Sequence, residues 1–247
     1  MSYGQDFSDV YDRFTGNADY AARAAYQLGL LREYGIGDGI LLDLACGTGT
    51  LSEYYLNAGF DVIDVDRSAD MLMRAREKLG RFGSRVLFLQ QDMTALDLYG
   101  TVRAAVCSLD AMNHLLCEEE LLSAFRRVSL FTEPGGVFLF DMNTSYKHLH
   151  VLGNNTFVYE DETAFLVWQN ETDPETLTVN MALDIFQLQP DGSYLRSMDE
   201  ITERAYSVQS VKSLLQQAGF SDVKVYGDIK TSPPAEDEER ICYLAIK

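Results

Sequence analysis

The chain has 247 residues, 47% of them hydrophobic and 23% charged, an ordinary globular composition that needs neither a metal nor a disulfide to support its core. Its formal net charge is −18, from 38 acidic against 20 basic residues. Such an excess repels a phosphate backbone, which disfavours DNA or RNA as a partner and leaves neutral or cationic small molecules.

The four cysteines, Cys46, Cys107, Cys117 and Cys242, show no CxxC or metal-ligand spacing, and His148 and His150 read as loop residues, so no metal is expected. The opening MSYGQDFSDV lacks a basic stretch followed by an apolar run, and nothing approaches the ~20 apolar residues of a membrane span. A reduced cytoplasmic setting away from membranes is expected.

In chain order, Phe7, Val10, Tyr11 and Phe14 share one face of an opening helix through three- and four-residue spacing. A second helix is expected over 20–34, ended by Gly35, Gly37 and Gly39. Strand and helix then alternate. The apolar run ILLDLA (40–45) reads as a buried parallel strand, followed by a helix over 50–58 and a strand over 61–66. Ser68 is a candidate N-cap for a helix ending near Gly80. Further strands are expected at 86–90, 104–108 and 137–141, with a helix over 118–131 whose acidic first turn suits the helix dipole. This alternation predicts a parallel sheet with helices on both faces.

From 156 to 206 the period changes to two: Leu177, Val179, Met181, Leu183 and Ile185 alternate with mostly polar residues, with turns at Asp173–Pro174 and Asp191–Gly192. That predicts an inserted antiparallel sheet of four strands before a helix over 210–218 and final strands at 223–226 and 241–246. The expected division is a catalytic domain of 1–150 and 207–247, with 151–206 as a β cap over it or as a dimerisation sheet.

LLDLACGTGT (41–50) passes from a buried strand to a helix through a glycine turn. Gly47 and Gly49 let a ligand approach the backbone, and the helix start offers free N–H groups. Asp43 within this run suits a cationic ligand better than a pyrophosphate, and Ser52 stands where a dinucleotide fingerprint would need its third glycine. Asp66 at the end of the second strand can accept both ribose hydroxyls. Asp64 is read as pointing to the opposite face. In QQDM, Asp92 can accept an adenine amino group, and the Met93 N–H can reach a ring nitrogen.

Four ordered motifs, LLDLACGTGT, VIDVDRSADML, FLQQDM and PGGVFLFDMN, resemble those of the class I S-adenosylmethionine-dependent methyltransferases. The resemblance implies a Rossmann-like α/β fold, a seven-stranded and mostly parallel sheet whose last strand is antiparallel. It implies S-adenosylmethionine as cofactor: Asp43 and the turn Ala45, Cys46, Gly47 and Gly49 on the methionine part, Asp66 on the ribose, and Met71, Asp92 and Met93 on the adenine. Arg67 and Ser108 join the implied cofactor-binding set. The remainder is similar to small-molecule members, including amino-sugar N-methyltransferases, that insert an antiparallel sheet after the fifth strand. In that group an N-terminal tyrosine lies against the cofactor, which maps onto Tyr11. GNNTFVYEDE, NETDPET and PPAEDEERI are shared with a bacterial set of the family, which brings no substrate with it.

Methyl transfer is an in-line displacement, so the protein mainly orients and desolvates, and a base is needed only for a protonated nucleophile. His114, in CSLDAMNHL, is the candidate base; Asp110 and Asn113 in that loop and Asn143 after the fifth strand are candidate substrate contacts. Trp168 is read as core. The expected activity is methyl transfer to an N or O nucleophile of a small molecule. RNA or protein methylation, a non-catalytic cofactor-binding regulator and an NAD-dependent dehydrogenase are the competing readings.

Overall fold

Helix α1 (Tyr20–Glu33) opens the described part of this computed structural model, which covers residues 18–247. The opening helical pattern, and Tyr11 with it, lies outside the described residues. Asp19 caps α1 by accepting the Ala22 N–H. There follow β1 (Ile40–Leu44), α2 (Thr50–Asn57), β2 (Asp61–Asp66), α3 (Ala69–Leu79), β3 (Val86–Gln90) and β4 (Val102–Cys107). Ser68 caps α3 as its spacing suggests, accepting from the Met71 N–H.

Helix α4 (Glu118–Phe131) runs directly into β5 (Thr132–Asn143), which starts five residues before the expected 137. Its opening residues contain Pro134, Gly135 and Gly136, which mark a turn in sequence; here they form an irregular stretch where the register with β4 shifts between Val102 and Ala104.

The main sheet has the order β10-β11-β5-β4-β1-β2-β3, completed by β10 (Asp222–Gly227) and β11 (Arg240–Ile246). Strands β1 to β5 pair in parallel, and β11 runs antiparallel to both β5 and β10. The chain moves outward from β1 to β3 and then returns to β4 on the other side of β1. At such a reversal the carboxyl ends of neighbouring strands diverge and leave a crevice.

Alternation along the strands supplies two apolar faces. Leu42, Leu44, Phe138, Phe140 and Tyr243 pack against α4 and α5 (Val208–Gln217), whereas Leu41, Val106, Leu139 and Leu244 pack against α1 and α2. The second sheet, in order β6-β7-β8-β9, is antiparallel: β6 (Thr156–Glu160), β7 (Ala164–Asp173), β8 (Thr178–Leu188) and β9 (Tyr194–Arg204). Val179, Met181, Leu183 and Ile185 are its buried row, and that row clusters with Met71 of α3 and with Leu152.

Phe140 is buried between Phe138 and Tyr243, with ring centroids 4.7 and 4.9 Å away. Phe140→Ala should cost about 3–5 kcal/mol of unfolding free energy, read from urea denaturation at constant slope.

Candidate active site

Beyond Leu44 the backbone turns through Ala45 and Gly47, both in the left-handed region at φ 58° and 56°. A side chain at Gly47 would meet nothing within 4 Å, so the missing Cβ opens a cavity wall. Ala45, Gly47, Asp66, Arg67 and Met71 line one cavity at the strand ends, together with Asp92, Met93, Ser108 and His114. Asp199, Glu200 and Ile201 of β9 line it too, so the second sheet reaches the same space. A small side pocket adjoins it, where Asp43 and Cys46 meet Ala45, Gly47 and Ser108.

The carboxylates on these walls are held in different ways. Asp66 accepts the Gly47 N–H at 2.9 Å and the Ser68 N–H at 2.8 Å, so it fixes the glycine turn relative to α3. Burial nonetheless raises its pKa, working against those two donors. Asp92 is more exposed. Burial works upward there, but the Thr94 hydroxyl and N–H, with Arg67 3.7 Å away, bring the carboxyl below its ordinary range. Asp43 is 2% exposed and its pKa is raised by burial and then by the charge of Asp64.

A second cavity, of about 720 Å³, meets the first at Leu109. Its floor is an ion network centred on Asp141 of β5. That carboxylate accepts the Leu109 N–H at 3.0 Å, the Asp110 N–H at 2.9 Å, Arg23 at 3.4 Å and Arg240 at closer range. Arg240 also bridges to Asp110 at 3.1 Å, and Arg23 to Asp228 at 3.0 Å. Burial opposes ionisation of Asp110, but Arg240 and Lys147 hold its carboxyl well below the usual range. Lys147 differs from the other cations on this wall. Among the described residues no carboxylate lies within ion-pair distance of it, and its hydrogen bond goes to the neutral Asn143 Oδ1 at 2.9 Å. Burial, then the charge of Arg240, lowers its pKa. Tyr159 and the half-buried Trp168 face the same cavity while packing against the apolar cluster of the second sheet, so Trp168 is a core-packed residue that also forms wall.

The segment 41–136 matches the model of the methyltransferase domain. Over 245 residues the chain is 31% identical to the putative methyltransferase YqeM of Bacillus subtilis (strain 168), covering 98% of this chain and 96% of that one. A crystal structure of an S-adenosylmethionine-dependent methyltransferase from Clostridium acetobutylicum superposes with a TM-score of 0.88 at 29% identity, covering 97% of each chain.

The chain belongs to the S-adenosylmethionine-dependent methyltransferases.

Among its relatives is a dTDP-3-amino-3,4,6-trideoxy-alpha-D-glucopyranose N,N-dimethyltransferase of Streptomyces venezuelae, 35% identical over 137 residues, which are 55% of this chain and 56% of that one. The cofactor of this methyltransferase is accordingly S-adenosylmethionine, and the observed walls fit it. An open glycine turn, a buried carboxylate pocket beside it and acids at the ends of β2 and β3 meet in one crevice.

Four expectations change on contact with the structure. Asp64 does not oppose Asp66: residues two apart on a strand share a face, and Asp64 lies one pleat deeper, fully buried against Ser52. Gly49 (φ 74°) lines none of the three cavities described above; a Cβ there would lie 2.8 Å from Leu79 Cδ1 and 3.2 Å from Ala75 Cβ, so it lets α3 approach the turn. Asn113 is fully buried: its amide donates to the Asn143 and Arg204 carbonyls and accepts the Asn143 N–H. Asn143 is also off the walls, donating to Asp110 at 2.6 Å and Glu203 at 2.9 Å. It holds the wall residues Asp110 and Lys147 in place.

Arg23, Asp141, Lys147 and Arg240 escape a reading by motif because they converge from α1, β5, the turn after it and β11. Only register brings Arg240 opposite Asn143 and Cys242 opposite Asp141. Asp141→Asn removes one charge from a buried cluster with two guanidinium partners. It should cost about 3–5 kcal/mol in denaturant unfolding, and should shift the backbone amide resonances of Leu109 and Asp110 in NMR spectra.

Proposed function

We propose that this methyltransferase acts on a small molecule at an N or O nucleophile, with an amine as the acceptor the walls favour. The observation that carries this reading is the pair of cavities meeting at Leu109, one at the strand ends and one under the second sheet. In this reading 1–150 and 207–247 form the catalytic domain, and 151–206 caps it. Support comes from Asp199, Glu200 and Ile201 on the first cavity and from Tyr159 and Trp168 on the second. A site covered in this way excludes water and orders two reactants.

Asp66 is assigned to the ribose hydroxyls, Asp43 to the ammonium of the methionine part, and Asp92, Met93 and Met71 to the adenine. Bound S-adenosylmethionine supplies an activated methyl group and its own leaving group. The chain supplies position, a dry cavity and a destination for a proton. Six carboxylates on the second cavity (Asp19, Asp110, Asp228, Asp237, Glu238, Glu239) face four cations (Arg23, Lys147, Lys230, Arg240). With two aromatic side chains on the same wall, that balance suits a cationic amine. An ammonium must lose a proton before its nitrogen can attack. His114 on the first cavity and Lys147 on the second are placed to receive it, and burial beside Arg240 favours the neutral amine of Lys147.

The relative named as a dTDP-amino-sugar N,N-dimethyltransferase supports the amine. The charge of −18 argues against RNA as the acceptor.

Two measurements test the reading. Calorimetry should show S-adenosylhomocysteine binding and no NAD binding, and Asp66→Ala should weaken S-adenosylhomocysteine at least tenfold, since each charge-assisted bond contributes about 1.5–3 kcal/mol. Incubation of a cell extract with methyl-labelled cofactor should place the label in low-molecular-weight amines, identified by mass spectrometry. Label confined to RNA or protein would overturn the small-molecule assignment.

A further inference from the structure

Beneath the glycine turn lies a buried group of side chains in which Asp43, assigned above to the methionine part, meets two residues with no assigned role, Ser52 and Asp64. Asp43 and Asp64 are register partners on the adjacent parallel strands β1 and β2. Both point to the face covered by α2, whose Ser52 stands between them. Ser52 Oγ is 2.6 Å from Asp43 Oδ2 and 2.7 Å from Asp64 Oδ1. Ser52 and Asp64 are completely buried, and Asp43 is 2% exposed.

A hydroxyl owns one hydrogen. It can satisfy one of these two oxygens, and a contact as short as the other needs a hydrogen from the carboxyl side. Two ionised carboxylates would oppose lone pairs across a dry 2.7 Å gap. Nothing nearby offsets a second negative charge, because among the described residues neither acid has a cation within 4.0 Å. The other ionisable groups around the pair, among the described residues, are Asp66 on β2, Cys46 in the turn, Tyr55 on α2, Cys107 on β4 and Tyr20 of α1, which lines the side pocket with Asp43; none of them is cationic. Lys78 of α3 donates to the Thr48 and Thr50 hydroxyls on the outer side of the turn. The two acids are not equivalent. Asp43 borders the side pocket, whereas Asp64 lines none of the three cavities described above, and among the described residues its buried Oδ2 has no hydrogen-bond partner.

We infer that Asp43 and Asp64 share one proton through Ser52, with Asp64 as a positioning residue that holds the hydrogen when a cation sits beside Asp43. The order is then Asp64 O–H to Ser52 Oγ and Ser52 O–H to the Asp43 carboxylate. The pair presents a single negative charge, on the acid that borders the pocket. Burial raises both carboxyls, Asp64 to about 7. The cofactor half of this inference rests on the proposed role of Asp43; the shared proton does not.

The pair has a thermodynamic signature. A carboxyl that keeps its proton in the folded state, and loses it on unfolding, makes stability fall as pH rises. The fall spans the window from the ordinary carboxyl value to about 7 and levels off above it.

Asp64→Asn decides the matter, because an amide donates permanently to Ser52 Oγ and cannot ionise. Urea unfolding of the full chain between pH 5 and 7 should show a slope smaller by about one proton in Asp64→Asn than in the parent. Infrared spectra of the parent at pH 6, below the value of about 7 for Asp64, should carry a protonated-carboxyl band that the variant lacks. S-adenosylhomocysteine should bind Asp64→Asn within threefold of the parent and Asp43→Asn at least tenfold more weakly. Equal pH slopes, or a parent without the protonated-carboxyl band, would overturn the shared proton. Equal loss of affinity in both variants would overturn the assignment of the charge to Asp43. If Asp64→Asn does not fold, the infrared spectrum of the parent decides alone. The unfolding and infrared readouts need no methyl acceptor, so they stand apart from the proposed activity.

Discussion

Asp141 is where the parts of this molecule that would otherwise drift apart are tied together. Its carboxylate lies at the end of a buried strand and would be costly to desolvate alone. Arg23 reaches it from α1, Arg240 from β11, and the Leu109 and Asp110 N–H groups from the loop after β4. Replacing such a cluster by apolar side chains is often neutral or stabilising, so its contribution to folding energy is small. What it adds is position. Leu109 and Asp110 both have positive φ, at 59° each, and this strained pair forms the wall where the two cavities meet. Backbone strain of that kind persists only where surrounding contacts over-determine it, and two N–H groups delivered to one carboxylate do so.

Charge arrangement follows the same economy of position. The acids at the strand ends are not interchangeable, because their partners differ. Asp66 is occupied in ordering backbone amides, Asp92 is drawn into its own turn by Thr94, and among the described residues Asp43 is left with a single hydroxyl. A buried carboxylate with so few donors is the one that gains most from an incoming cation. Under the proposed assignment, the ammonium of S-adenosylmethionine would meet an electrostatic need already concentrated beside the glycine turn.

Much of this architecture was legible from period alone. Strands buried on both faces announce themselves as apolar runs, and the switch to a period of two at Thr156 marks the second sheet. Legibility ends where distance along the chain stops predicting distance in space. Arg240 and Asp110 are 130 residues apart and share an ion pair. Gly49 shows another limit, since a glycine in a ligand-binding turn can be required by the helix packed behind it. Asn113 and Asn143 show a third. An amide in a functional loop carries the same four hydrogen-bonding positions whether they meet a substrate or the backbone, and here they meet backbone, Asp110, Glu203 and Lys147. Asp64 differs from all of these, because alternation along β2 already placed it on the face of Asp66.

The second sheet is not an independent attachment, and Asn143 shows why. Its single amide nitrogen donates both to Glu203 on β9 and to Asp110 at the cavity wall, while its oxygen receives Lys147. Glu203 in turn lies 3.5 Å from the buried His148 ring, whose other nitrogen meets the Leu177 carbonyl between β7 and β8. A shift of β9 would have to break the Glu203 contact or carry Asn143 with it, and the latter would move Asp110 against Arg240. The interior here is closely packed, and an amide with every group engaged cannot follow two partners in different directions. The position of the sheet and the position of the wall are therefore one variable. In the proposed reading, where the sheet caps the acceptor cavity, that coupling would link closure over the acceptor to alignment beside the cofactor.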